Sequence, residues 1–103
     1  MTHFRPLGIA KEIVNETGLD VTYAYDDLVF VEHSPFLIKF DDDKPNNLKL
    51  FFNVDCETDA AQKLEIQLRQ AAEERKFTIE PCGRFELVPK PDTEELDIRF
   101  IPA

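Results

Sequence analysis

The sequence predicts an α+β domain: one antiparallel sheet of about five to seven strands with two helices on one face. Three observations predict it. Apolar residues recur at helical spacing in two segments, Ile9 to Val14 and Ala61 to Ala72. Between and after them lie runs rich in β-branched and aromatic residues, several alternating apolar with polar as half-buried strands do. The chain has 103 residues, 43% of them hydrophobic and nine of them phenylalanine, which is the length of one domain, 1–103, with material for one core. The expected order is α-β-β-(β)-β-α-β-β.

The first helix is expected over residues 6–17. Pro6 suits a first helical position, where its missing N–H costs nothing. Ile9, Ala10, Ile13 and Val14 form the apolar stripe, and Gly18 supplies a left-handed residue after the end. Strands follow at 21–25 (VTYAY), 28–33 (LVFVEH), 36–40 (FLIKF) and 48–54 (LKLFFNV). Asp26-Asp27 and His33-Ser34-Pro35 are breaks of hairpin length.

The second helix is expected over residues 59–76. Asp59 and Gln62 match a capping box with an acidic cap, and Ala61, Leu64, Leu68, Ala71 and Ala72 make the buried stripe. Glu65 precedes Arg69 by four residues, a favourable acid-before-base pair, and Arg75 and Lys76 complement the dipole at the end. Strands then read at 77–80, at 84–88 after a corner over Pro81–Gly83, and at 95–101 after a polar turn. In the last one Leu96, Ile98 and Phe100 alternate with Asp97, Arg99 and Ile101.

Net charge is −9. Such a chain repels phosphate backbones and anionic membrane surfaces, so neither nucleic acid nor membrane is an expected partner. A basic or amphipathic protein segment is the charged partner that steering favours. No stretch approaches the ~20 apolar residues of a membrane helix, and the N-terminal segment has no apolar run of signal-peptide length. The expected compartment is therefore cytoplasmic, where Cys56 and Cys82 stay reduced.

The stretch KFDDDKPNNLKLFFNVDCE, residues 39–57, is the closest thing to a chemical motif. A calcium loop of the EF-hand kind needs Gly at its sixth position and Glu at its twelfth. Counted from Asp41, those positions hold Asn46 and Phe52. Consecutive aspartates in extended chain also point to alternating sides. The segment therefore reads as a solvated hairpin connection. Cys56 stands before the second helix, where a dipole lowers a thiol pKa, but Asp55, Glu57 and Asp59 oppose the thiolate. Cys82 lies in the corner beside Arg84, and no spacing links either thiol to His3 or His33. Adjacent acids such as Glu73-Glu74 and Glu94-Glu95 read as surface pairs. No catalytic, cofactor-binding or metal-ligating set emerges, no cofactor is expected, and the balance leans away from an enzyme.

The second face of the sheet is the stronger candidate. If Phe36, Ile38, Phe40, Leu50 and Phe52 look toward the helices, period two leaves Leu37, Phe51 and Ile101 looking away. Ile66 lies opposite the Leu64/Leu68 stripe of the second helix. Leu37, Phe51, Ile66 and Ile101 are thus the candidate contact residues for a protein partner or a second copy. For the strand at 28–33, either Leu28 and Phe30 or Val29 and Val31 look away; register leaves this open.

The element order in a small acidic chain resembles that of type III secretion chaperones. The resemblance implies a secretion-chaperone-like fold that dimerises and holds unfolded effector segments on its sheet and helix surfaces. It covers most of the chain and rests on element order, so it assigns no site residue. One departure is visible: those chaperones usually carry a third, C-terminal helix where this chain reads as a strand. The expected function is a non-catalytic protein-interaction or chaperone-like domain. The alternative is a small ligand-binding protein or enzyme with its pocket between helix 59–76 and the sheet.

Overall fold

A computed structural model describes residues 6–25, 27–92 and 96–102. His3, Asp26 and the Glu94-Glu95 pair lie outside the described residues. Among the described residues the chain forms helices α1 (Leu7–Asn15) and α2 (Thr58–Glu74). Its strands are β1 (Val21–Tyr25), β2 (Leu28–Val31), β3 (Phe36–Phe40), β4 (Asn47–Asn53), β5 (Thr78–Pro89) and β6 (Leu96–Pro102). They make one six-stranded sheet in sequential order, β1 to β6.

The α+β class holds, but the sheet is mixed. Every neighbouring pair is antiparallel except β4 and β5, which run parallel. The reason lies in α2. Its 17 residues span about 25 Å at 1.5 Å per residue. The seven residues of β4 span about 23 Å. Running back along the strand, α2 returns the chain to the level where β4 began, so β5 starts there and points the same way. Thr78 at the head of β5 accordingly donates its N–H to the Asn46 carbonyl at 2.9 Å.

Both helices cover one face. Ala10, Ile13 and Val14 of α1 and Leu68, Ala71 and Ala72 of α2 are buried there. They pack on Val29, Val31, Phe36, Ile38, Phe40, Leu48, Leu50, Phe52 and Ile79. This settles the open register of β2: Val29 and Val31 face the helices, while Leu28 and Phe30 look away.

Helix ends differ from expectation in detail. α2 begins one residue early, after an extended Glu57 whose carbonyl accepts the first helical bond from Ala61 N–H at 2.9 Å. Asp59 therefore sits inside the first turn, where it complements the dipole, and is not the cap. The C-terminus closes with Phe77 N–H donating to Ala72 O (2.8 Å) and Lys76 N–H to Glu73 O (3.0 Å). This is a Schellman arrangement, with Lys76 at φ 61° in the left-handed place usually held by Gly. Gly18 does take the left-handed conformation, φ 87°, after α1. There Thr17 adds its hydroxyl, which donates to Val14 O at 2.6 Å.

The tail holds the largest local departure. Residues 77–80 and 84–88 read as two strands about a corner, yet β5 runs through as one strand with a bulge. Leu50 pairs with Pro81 and Phe51 with Gly83, so Cys82 is the extra residue. One inserted residue inverts the side-chain alternation. Ile79 faces the helices before the bulge, and Phe85 and Leu87 face the other way after it. A second irregularity in β1, between Val21 and Tyr23, does the same, so Val21 packs under the helices and Tyr23 beside Phe30.

Candidate functional site

These two bulges collect apolar groups on the face away from the helices. Leu37 of β3, Phe51 of β4 and Phe85 of β5 form a second buried cluster. Leu28, Phe30, Cys82, Leu87 and Ile98 pack around it. The sheet curls about this cluster into a half-barrel. Phe100 of β6 reaches Phe51 with ring centroids 4.7 Å apart. Lys39 Nζ of β3 lies 5.7 Å from the Phe100 ring centroid, although two strands separate β3 from β6. Such contacts across the face accord with that curvature, since strands three apart in a flat sheet lie about 14 Å from one another.

Curling corrects the status of the candidate contact residues. Leu37 and Phe51 do face away from the helices, but they are 0% and 9% exposed and belong to the chain's own interior. Phe85, Phe100 and their neighbours cover them. Ile101 is corrected too. Phe100 and Ile98 face the concave side, so Ile101 points to the helix side, opposite Arg84. The inversion at Cys82 passes to β6 through its pairing with β5. Ile101 remains exposed, as does Ile66 on the outer surface of α2. The structure therefore does not bring the four together: two are core, and two lie on the helix side of the sheet.

What the concave side does present is a groove. It is walled by Tyr23 and Tyr25 of β1, Leu28 and Phe30 of β2, and Asp97 and Ile98 of β6, with Lys90 nearby, and has a volume of about 770 Å³. A smaller hollow of about 360 Å³ adjoins it, shared by Tyr23, Phe30, Ser34, Leu87 and Ile98. Residues of β1 and β6, the two edges of the sheet, thus line the same space. The tyrosines are its most exposed large apolar groups, at 58% and 64%. Their rings lie 6.3 Å apart and nearly parallel, 11° between planes. Phe30 supports Tyr23 at 5.9 Å. Lys90 and Asp97 pair at 3.5 Å, and Lys39 pairs with Asp27 at 3.7 Å.

Sequence reasoning missed Tyr23, Tyr25, Ile98 and Phe100. The signal for the tyrosines was present: they are the chain's only two, spaced two apart in one strand, hence on one face. The bulges that decide which face were not visible.

The space between α2 and the sheet, where a pocket was the alternative, is filled by the main core. A hollow of about 190 Å³ remains at one end, lined by Arg69, Glu73, Phe77, Thr78 and Ile79.

The Asp41–Asp43 segment is a hairpin connection between β3 and β4. Asp41 Oδ1 accepts the N–H groups of Asp43 (3.0 Å) and Lys44 (3.2 Å), an Asx turn. Its Oδ2 accepts from Asn47 Nδ2 at 3.3 Å. The Asn47 bond is the largest influence and, with these backbone bonds and the Lys49 charge, holds the Asp41 carboxyl below its ordinary value against an opposing desolvation. Asn47 continues to β5, donating to Glu80 at 2.7 Å and accepting from Thr78 Oγ1 at 2.8 Å. The polar residues of this loop thereby fix the register of the parallel pair. Among the described residues, no group of three or more His, Cys, Asp or Glu side chains is placed to hold a metal ion.

Both thiols are half-buried, and burial raises each pKa above the ordinary thiol value. At Cys56, Arg84 opposes that rise and Glu57 reinforces it. At Cys82, Glu80 reinforces it. Neither environment favours a thiolate nucleophile. No described helix is long and apolar enough to cross a membrane. No family model, curated protein or solved structure matches the chain.

Proposed function

We propose that this chain is a non-catalytic protein-interaction domain that takes an extended segment of a partner protein along its concave groove. One observation carries the reading: the groove with exposed, near-parallel tyrosine rings lies between the two edges of the sheet. Edge strands offer backbone donors and acceptors to an added chain. The groove beside them offers apolar walls to every second side chain of that chain. Tyr23 and Tyr25 supply rigid contact area with few rotatable bonds, a favoured composition for recognition surfaces.

The volume of about 770 Å³ also suits a small apolar ligand, whose sites occupy roughly 300–1,000 Å³. That is the second reading, and it relocates the ligand pocket from the helix side to the concave side.

The test uses the chain's own reporters. It has no tryptophan, and both tyrosines stand in the groove. Tyrosine emission should therefore change saturably when alternating Val/Thr octapeptides are titrated in. Saturable change only with a small apolar dye, and none with any peptide, would replace the first reading with the second.

A further inference from the structure

We infer that the segment taken by the groove is cationic: an extended stretch of another protein carrying arginine or lysine at alternate positions. This rests on the peptide-binding reading above and adds the chemistry of the partner.

The first support is the behaviour of the concave face toward its own cation. Lys39 stands there with its ammonium 5.7 Å from the Phe100 ring centroid and 3.7 Å from the Asp27 carboxylate. An aromatic ring presents a negative face to a cation. The groove itself offers further ring surface. Tyr23 and Tyr25 are near-parallel and more than half exposed. A guanidinium can stack on such ring faces while its methylene stem lies against Leu28 and Ile98.

The second support is charge. The chain carries −9, and among the described residues the ionic groups lining the groove are one cation and one anion, Lys90 and Asp97, 3.5 Å apart. The field at its mouth is therefore that of the whole molecule, which draws in a cationic segment and repels an acidic one. Geometry sets the spacing. Tyr23 and Tyr25 are two residues apart on one strand, with ring centroids 6.3 Å apart, close to the repeat of about 6.5–7 Å between alternate residues of an extended chain. An extended guest presents every second side chain at the same interval. A segment with cations at alternate positions is in step with the tyrosines along β1.

The experiment titrates three labelled octapeptides into the protein at 0.15 M salt, following anisotropy: alternating Arg/Val, alternating Thr/Val and alternating Glu/Val. The Arg/Val peptide should bind at least ten-fold tighter than Thr/Val, and Glu/Val weakest. Tyr25→Leu keeps the apolar wall and removes the ring face, so it should weaken the Arg/Val peptide about two- to thirty-fold and leave Thr/Val within about two-fold. Circular dichroism of the variant confirms the fold, which an exposed side chain leaves intact. Equal affinity for Arg/Val and Thr/Val overturns the cationic assignment while the peptide-binding reading stands. Arg/Val binding that Tyr25→Leu and Tyr23→Leu leave unchanged also overturns it, since a diffuse field would then suffice. Binding of none of the three overturns both.

Discussion

Replacing Phe85 with alanine tests whether the concave face has an interior of its own. Phe85 is 1% exposed and shares its cluster with Leu37 and Phe51. Its side chain removes roughly 200 Å² from water. At about 25 cal/mol per Å² that is at most about 5 kcal/mol. Alanine keeps part of this and leaves a cavity, so the expected cost is about 3–5 kcal/mol. A domain of this size has about 5–15 kcal/mol in all. The melting temperature should fall by ~12 °C or more, and the urea midpoint should fall with little change in slope. Phe100→Ala is the control. It lies on the same face and touches Phe51, but is 39% exposed, so about 2 kcal/mol is expected. If Phe85→Ala cost less than about 1 kcal/mol, or no more than Phe100→Ala, the face would be an open surface and the curled second core would be wrong.

Three other outcomes follow from the packing and the turns. Leu68→Ala should cost about 2–5 kcal/mol, because Leu68 is fully buried under the helix, while Ile66→Ala should stay within about 0.5 kcal/mol; equal losses in urea titrations would contradict the helical phase. Lys76→Gly relieves the left-handed backbone at the end of α2 and should stabilise by about 1 kcal/mol; a lower melting temperature would count against that conformation. Asp41 has its carboxyl held below the ordinary value of 3.8, so its contribution is present above the unfolded pKa and lost as pH falls through the folded one. The wild type should therefore exceed Asp41→Ala in melting temperature at pH 7 by more than it does at pH 3, and a gap that widens in acid would refute the bond pattern.

Much of the fold was legible because period and punctuation agree. The stripe through Leu64, Leu68 and Ala71 admits only a helix, and Gly18 marks the stop of the first helix, where a left-handed residue is needed. The alternation Phe36, Ile38, Phe40 against Leu48, Leu50, Phe52 identifies a hairpin with one face under the helices, as β3 and β4 have. The parallel partnership of β4 and β5 was also available in principle. A strand, a helix of matching length and a strand is a crossover unit, and reading strands alone as antiparallel overlooked it. The site was less legible for a physical reason. Alternation predicts a face only while the register is unbroken, and single bulges at Thr22 and Cys82 invert everything beyond them. The inversion at Cys82 moved Ile101 to the helix side. Burial of Leu37 and Phe51 needed a further fact that no local pattern carries: the curvature that brings β6 across the face.

The most direct measurement of the central claim, that the concave groove is the recognition surface, is a ¹H–¹⁵N chemical-shift map of the protein titrated with the alternating Arg/Val octapeptide. Saturable shifts should cluster at Tyr23, Tyr25, Leu28, Phe30 and Ile98, the groove walls, with amides near Ile66 and Ile101 unmoved. Shifts centred on Ile66 and Ile101, on the helix side of the sheet, would contradict it.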